Sequence, residues 1–186
     1  MFSILEDGQG HLWLATNRGL TVYDGKEFHR LGLDRPGSFL WGSCRDLQGR
    51  LWFGMERQPG RPPMVARWNG EQLEYLEIGE PTGDQGQSIH QVICDELGAV
   101  WLGGEGLYKY VEGEEFSVVE VPFEGEFVVG MSPCSAGGVW ISTETKLWIH
   151  DRTGFKEVFT AAVWVGRAGR VLLTVWGRLR PVKNFV

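Results

Sequence analysis

The sequence predicts an all-β fold built from about five repeats of a four-stranded antiparallel sheet. The main observation is a motif of glycine, two residues and tryptophan that occurs four times and recurs once with leucine in the tryptophan position. The copies begin at Gly10, Gly49, Gly98, Gly137 and Gly169. Intervals of roughly 30 to 50 residues are typical of stacked structural repeats rather than of one continuous core.

The residues around each tryptophan indicate a strand that is buried on both faces. Because side chains alternate across a strand, the two neighbours of a tryptophan share the face opposite to it. Both neighbours are apolar in every copy: Leu12 and Leu14, Leu51 and Phe53, Val100 and Leu102, Val139 and Ile141, Val171 and Leu173. Such a strand belongs to a sheet packed between other sheets. We therefore expect Trp13, Trp52, Trp101 and Trp140 to be buried between sheets.

A small residue follows each tryptophan motif two positions later, on the same face of the strand. These residues are Ala15, Gly54, Gly103, Ser142 and Thr174. A small residue beside a large ring lets the next sheet approach closely while the ring fills the gap. This pattern predicts close packing between consecutive sheets.

The motif lies in the second of four predicted strands in each repeat. The first strands are predicted at 3–5, 39–41, 89–93, 127–131 and 162–165, the third at 19–24, 65–69, 106–110 and 146–150, and the fourth near Phe28, Leu73, Phe116 and Phe155. Asp7, Asp46 and Asp95 precede the motif glycine by three residues and are expected to accept backbone N–H groups of a tight turn. The glycine itself supplies a positive φ.

Four-stranded sheets of about forty residues that repeat radially define a β-propeller. We predict a single propeller over 1–186, with blades at approximately 1–36, 37–79, 87–124, 125–160 and 161–186. The first four blades are complete in this interpretation and the fifth is partial. An incomplete ring is therefore compatible with the sequence, and the end blades are candidates for association with other molecules.

Residues 6–25 resemble the repeat of the two-component regulator propeller family, whose pattern is Asp, Gly, Leu-Trp-Ile-Gly-Thr, Gly-Leu, an aromatic residue and Asp. Further copies match at 45–54, 94–103 and 137–143, so the resemblance covers nearly the whole chain. The departures are Cys134 and Gly166 at the aspartate position, the missing fifth tryptophan and an insertion at 58–64. The resemblance implies a propeller that senses a ligand or binds a protein, like the extracytoplasmic part of hybrid histidine kinases, whose ligands are commonly carbohydrate breakdown products.

Composition excludes several functional classes. The net charge is −6 and the sequence has no basic run that could neutralise phosphates, so a nucleic-acid partner is not expected. Neither a signal peptide nor a stretch of about 20 apolar residues occurs in this chain, so we expect no membrane insertion. An extracytoplasmic location is implied by the family resemblance alone, and it applies if the chain is part of a longer sensor.

The cysteines and histidines do not suggest a metal site or a cofactor. Cys44, Cys94 and Cys134 are far apart in the sequence, and no histidine has zinc-ligand spacing relative to them. We interpret all three as buried structural thiols, with a disulfide or a metal role as the less favoured alternative. His11 and His29 fall on turn and edge positions and are expected to be solvated.

Candidate ligand-binding residues lie on loops that meet at one end of a propeller channel. These loops connect the second and third strands or lead into each innermost strand, and they are free to vary around a rigid scaffold. The candidates are Arg18, Glu56, Arg57 and Glu105 in the first group of loops, and Trp41, Gln87 and His90 in the second. Arg18, Arg57 and Trp41 suit a sugar or acid ligand, because guanidinium groups hydrogen-bond oxygens and an indole stacks on an apolar sugar face. The alternative is that these are ordinary solvated loops.

A catalytic function is not favoured, and no catalytic residue is predicted. The sequence lacks a Gly-x-Ser-x-Gly elbow, a phosphate-binding loop and a His-Glu-x-x-His motif. The alternative function is a propeller enzyme of lyase or glycan-cleaving type, similar to virginiamycin lyase, which also repeats Asp-Gly-x-Leu-Trp-Phe. A propeller fragment without an independent function is the remaining interpretation.

Overall fold

The computed structural model describes residues 3–16, 18–31, 39–79, 87–123, 125–134, 137–160, 163–165 and 171–173, with backbone alone for 39–41, 163–165 and 171–173. Every regular secondary-structure element in these ranges is a β-strand. The strands are β1 (Ser3–Glu6), β2 (Leu12–Thr16), β3 (Gly19–Tyr23), β4 (Phe28–Leu31), β5 (Phe39–Arg45), β6 (Leu51–Met55), β7 (Met64–Trp68), β8 (Leu73–Glu77), β9 (Ile89–Cys94), β10 (Val100–Gly104), β11 (Leu107–Tyr110), β12 (Ser117–Val118), β13 (Gly130–Cys134), β14 (Gly138–Ser142), β15 (Lys146–Asp151), β16 (Gly154–Thr160), β17 (Val163–Val165) and β18 (Val171–Leu173).

The first sixteen strands form four sheets of four antiparallel strands, each paired in chain order. We call them sheets one to four; β17 and β18 form a separate two-stranded hairpin. The predicted all-β fold of four-stranded blades is thus confirmed, and the described part of the chain is an incomplete propeller. Most of the predicted fifth blade, including residues 174–186, lies outside the described residues.

One predicted strand is shifted along the chain. The first strand of sheet four begins at Gly130, not at Phe127. The backbone N–H of Val128 donates to the carbonyl of Gly104 in sheet three at 2.9 Å, whereas that of Val129 donates to the carbonyl of Ser142 at 2.8 Å. The segment 127–129 is therefore hydrogen-bonded to two different sheets, and it does not form part of the first strand of sheet four.

The core consists of three apolar clusters, each between two consecutive sheets. Trp13 packs with Phe53 and Met55 of sheet two, Trp52 packs with residues of sheet three, and Trp101 packs with residues of sheet four. An aromatic ring from the third strand of the following sheet lies against each tryptophan. The ring centroids are 4.9 Å apart for Trp68 and Trp13, 5.1 Å for Tyr110 and Trp52, and 5.3 Å for His150 and Trp101.

Burial of the motif tryptophans is confirmed for three of the four. Trp13, Trp52 and Trp101 are buried. Trp140 is only half-buried and borders a surface depression of about 240 Å³ together with Met131 and Leu147. The prediction that Trp140 is buried was wrong, because the strand pattern shows that a residue can pack between sheets but does not determine how much of it is exposed.

The apolar face of β2 shows the same dependence on a neighbour. Leu12 was expected to be buried, but it is 36% exposed, and Ile4 beside it in sheet one is 54% exposed. Both side chains belong to the face of sheet one that is turned away from sheet two. Two apolar faces therefore identify a strand that can be sandwiched, whether or not both faces are covered.

The predicted close approach of consecutive sheets is confirmed at the small residues. A Cβ atom added to Gly54 would lie 2.2 Å from the carbonyl oxygen of Ile89 in sheet three, and one added to Gly103 would lie 2.7 Å from Cγ1 of Val128. The innermost strands approach equally closely, because a Cβ on Gly42 would lie 2.2 Å from the backbone nitrogen of Val92. Side chains at these positions would force the sheets apart.

Cys44 and Cys94 form a disulfide, which corrects the interpretation of both as free thiols. They lie on β5 and β9, the innermost strands of two consecutive sheets, where their Cα atoms are 5.8 Å apart. Radial stacking brings innermost strands side by side even though the two residues are separated by 50 positions in the chain. Cys134 is a buried free thiol, as predicted.

Candidate functional site

The aspartate turns have a structural role that extends into the core. In each of the first three sheets, one carboxylate oxygen accepts two backbone N–H groups of the turn, as predicted. The other oxygen accepts the indole N–H of the motif tryptophan, at 3.0 Å for Asp7 and Trp13, 2.8 Å for Asp46 and Trp52 and 2.9 Å for Asp95 and Trp101. Sequence reasoning missed this second bond, although the constant spacing of aspartate and tryptophan was a signal for it.

Antiparallel pairing defines two ends of the molecule. The aspartate turns join the first and second strands at one end, which we call the turn end. The loops between the second and third strands lie at the opposite end, where the innermost strands also begin, and we call it the loop end. All seven predicted ligand-binding residues belong to segments at the loop end.

Three of these seven residues, Arg57, His90 and Glu105, gather where sheets two and three meet. The backbone N–H of Arg57 donates to Oγ of Ser88 at 3.0 Å, and the backbone N–H of Ser88 donates to Oε2 of Glu105 at 2.7 Å. A Cβ on Gly104 would lie 1.9 Å from the carbonyl oxygen of Ser88 and 3.5 Å from Cδ2 of His90. We call Arg57, Ser88, His90 and Glu105 the loop-end cluster.

The other predicted residues occupy different positions. Glu56 is exposed beside Arg57, whose side chain is exposed as well. Arg18 is exposed on the loop of sheet one, where its backbone N–H donates to Oγ1 of Thr16 at 3.1 Å. The side chain of Trp41 lies outside the described residues.

Ser88 and Tyr108 contribute to this region but were missed from the sequence. The hydroxyl of Tyr108 donates to Oε1 of Gln87, a predicted candidate, at 2.5 Å. Burial raises the pKa of Tyr108, and the nearby charge of Glu105 raises it further. The phenol therefore remains a hydrogen-bond donor at neutral pH. Its place in the alternating strand 107–110 was a signal of burial, whereas no feature of the sequence distinguished Ser88.

A cavity of about 440 Å³ lies at the turn end, between sheets one and two. We call it the turn-end cavity. Its apolar lining comes from Trp13, Val22, Leu31 and Trp68, and its polar lining includes two histidine–aspartate pairs. Nδ1 of His11 is 3.1 Å from Oδ2 of Asp7, and Nε2 of His29 is 3.1 Å from Oδ2 of Asp24.

Both carboxylates of the turn-end cavity are held in the ionised form. Burial by itself would raise the pKa of Asp7, but hydrogen bonds from the Trp13 indole and from the backbone N–H groups of His11 and Gln9 lower it overall. The backbone N–H groups of Glu27 and Lys26 lower the pKa of Asp24 to about 2, with a further contribution from His29. The cavity therefore carries carboxylate charge at neutral pH.

Within the described ranges, no group of three or more histidine, cysteine, aspartate or glutamate residues has an arrangement suited to a metal ion. The same part of the chain contains no helix that is long and apolar enough to span a membrane.

Comparison with solved structures shows the propeller fold. A streptogramin B lyase superposes with a TM-score of 0.66 at 14% identity, over 90% of this chain and 59% of the lyase. Virginiamycin B lyase from Staphylococcus aureus, a catalytically inactive H270A variant with quinupristin, has a TM-score of 0.68 at 13% identity, over 84% of this chain and 54% of the lyase. The chain thus spans little more than half the length of these lyases.

The extracellular domain of a hybrid two component system from B. thetaiotaomicron also superposes. The TM-score is 0.66 at 22% identity, over 86% of this chain and 22% of that protein. No curated protein matches the sequence. Residues 1–18 match the family described as two component regulator propeller. This match lies within the first blade and overlaps residues 6–25, whose sequence resembles the same repeat.

Proposed function

We propose that the protein is a ligand-binding propeller of a signal-transduction sensor, and that it binds its ligand at the loop end without catalysing a reaction. The observation that carries this proposal is the loop-end cluster, in which residues from three separate segments meet at one junction. The match of residues 1–18 to the regulator propeller family and the likeness to an extracellular sensor domain support it.

The chemistry of the cluster suits a small carbohydrate or an organic acid. The exposed guanidinium group of Arg57 offers several donors in a planar fork, which matches carboxylate and vicinal hydroxyl oxygens. The carboxylates of Glu56 and Glu105 offer hydrogen-bond acceptors, so donors and acceptors lie around the same junction. The Ser88 hydroxyl accepts the backbone N–H of Arg57, and the Ser88 backbone N–H donates to the Glu105 carboxylate, so the loops are held in place before a ligand arrives. This reduces the entropic cost of binding.

The Cys44–Cys94 disulfide supports an extracytoplasmic location as part of this proposal. Disulfides persist in oxidising compartments and are rare in the reducing cytosol. An extracytoplasmic sensing domain would encounter free sugars and acids from outside the cell. The same proposal includes a protein partner or association through the end blades as the route by which binding is reported.

Binding of a panel of neutral and acidic oligosaccharides, measured by calorimetry, tests the proposed function. For any oligosaccharide that binds the unaltered protein, we expect Arg57→Ala and Glu105→Gln to weaken the affinity at least tenfold. Arg152→Ala is the matched control, because Arg152 is an exposed arginine on a turn at the opposite end. Equal affinities of all three variants would rule out the loop-end site.

Chromatography of the same incubations tests the absence of catalysis. We expect each probe to be recovered unchanged after prolonged incubation with the protein. Formation of a cleaved product that disappears with a single carboxylate variant would replace the binding function by the lyase or glycan-cleaving alternative.

A further inference from the structure

A cation lies over the motif tryptophan in two of the first three sheets. The guanidinium carbon of Arg67 is 5.2 Å from the ring centroid of Trp52, and Nζ of Lys109 is 4.9 Å from that of Trp101. Both cations occupy the same place in the repeat: each is on the third strand, directly opposite the motif tryptophan of the second strand. Such contacts are attractive because the face of an aromatic ring carries negative charge.

Sheet one has Val22 at this position, paired with Trp13. Valine is short and uncharged, so this strand position supplies no cation next to the indole, and other side chains bury Trp13 to 3% exposure. Val22 and Trp13 both line the turn-end cavity. The cavity thus lies where the other repeats place their own cation.

Carboxylates are also present at the cavity of sheet one, although the position of Glu74, which faces Arg67 in sheet two, is His29 opposite Val22 in sheet one. In sheet two, Arg67 is 2.7 Å from Glu74, and Arg50 is 2.7 Å from Asp46, whose counterpart in sheet one is Asp7. The turn-end cavity contains Asp7 together with Asp24, paired with the histidines described above. An aromatic floor and ionised carboxylates together form a surface complementary to a positive ligand.

We propose that the turn-end cavity binds a small organic cation, a free molecule that bears a guanidinium or ammonium group. The cation lies in the cavity beside Val22, at the ladder position that Arg67 and Lys109 occupy in their sheets, with Asp7 and Asp24 as counter-charges. Its aromatic contact is the half-buried ring of Trp68, since Trp13 is only 3% exposed. A cavity of about 440 Å³ is within the usual range for small-molecule sites. This site is independent of the loop-end cluster, so either proposal can fail alone.

The test uses agmatine as the probe and the indole N–H signals of ¹⁵N-labelled protein as the readout. We expect agmatine to shift the signals of Trp13 and Trp68 saturably, and butylurea, which is planar but uncharged, to leave them unchanged. No saturable shift with agmatine, or equal shifts with butylurea, would overturn the proposal. Tighter binding of acetyl-Gly-Arg-Gly-amide than of agmatine would overturn the assignment to a free small molecule.

Two substitutions replace a residue of sheet one by the residue at the equivalent position of sheet two. Val22→Arg introduces the arginine of sheet two and should abolish agmatine binding, because the protein's own guanidinium group then occupies the cavity. Asp24→Asn should weaken binding at least fivefold while keeping the fold, since Asn69 supports the equivalent turn of sheet two by accepting two backbone N–H groups. If both variants bind agmatine like the unaltered protein, the site is wrong.

Asp151→Asn is the matched control for the loss of one carboxylate. Asp151 is on the corresponding turn of sheet four and accepts the backbone N–H of Thr153 at 2.7 Å, away from the cavity. We expect it to keep full agmatine affinity. A loss equal to that of Asp24→Asn would mean that general surface charge, and not the cavity, attracts the probe.

Discussion

The carboxylate of Asp46 accepts the indole N–H of Trp52 at 2.8 Å, and both residues are buried. The same carboxylate accepts two backbone N–H groups of the turn and an N–H from Arg50. One side chain therefore connects a surface turn to the packing between two sheets. The stability of the turn and the orientation of the core ring depend on each other.

Asp46→Asn should lower the free energy of unfolding by about 1–3 kcal/mol, because the amide nitrogen cannot accept the indole N–H and leaves a buried donor unpaired. Urea titration followed by tryptophan fluorescence measures the change. Asp151→Asn, on an exposed turn, should cost much less, because surface substitutions of this kind have small effects. Equal losses in the two variants would contradict the buried role of Asp46.

Trp101→Ala should destabilise the protein by about 3–5 kcal/mol, the range for large aromatic truncations in a core. Trp140→Ala should cost clearly less, because half-buried Trp140 has less contact to lose. Denaturant melts of the pair compare the same substitution at equivalent positions of two sheets. A larger loss for Trp140→Ala would show that the fourth motif is as well packed as the third.

Reduction of the Cys44–Cys94 disulfide should lower the stability by about 2–5 kcal/mol. Thermal melts with and without dithiothreitol measure this effect. The double variant Cys44→Ala, Cys94→Ala should be insensitive to the reductant, whereas Cys134→Ala should respond like the unaltered protein. Peptide mapping under non-reducing conditions that finds Cys44 and Cys94 unlinked would refute the pairing.

Acid should destabilise the protein through Asp7. Burial alone would raise the pKa of Asp7, but hydrogen bonds from the Trp13 indole and from backbone N–H groups of the turn lower it below its usual 3.8. A lowered native pKa stabilises the fold above the unfolded value, and that contribution is lost as the pH falls through the native pKa. Below about pH 4, Asp7→Asn should therefore lose less stability per pH unit than the unaltered protein. Parallel pH profiles of the two proteins in urea melts would exclude this linkage.

The repeat in the sequence predicted the sheets because its signals are local. Alternation around Trp52 and the glycine at position 49 describe one strand and one turn, and both formed as expected. The incomplete burial of Trp140 and Leu12 was not predictable, because exposure depends on the adjacent sheet rather than on the strand itself. The disulfide was missed for a similar reason, since it depends on which innermost strands meet.

The candidate sites differ in how far sequence could reveal them. Strand order was sufficient to place Arg57, His90 and Glu105 at one end, but their meeting at Ser88 depends on loop conformation. The turn-end cavity was not predicted. An alignment of the third strands would have shown that Val22 occupies the position that Arg67 and Lys109 occupy in the other repeats. Its formation depends on a difference in side-chain volume between repeats, which a search for shared residues overlooks.

The Cys44–Cys94 bond also changes what a single break in the main chain would do. The bond closes a covalent loop that contains β6, β7, β8 and β9. A protease that cut once inside this loop would leave one molecule, because the polypeptide still continues from Cys44 to Cys94 through the two sulfur atoms. Sheet one would stay tethered to sheets three and four, and the nick would become visible as two fragments only after reduction.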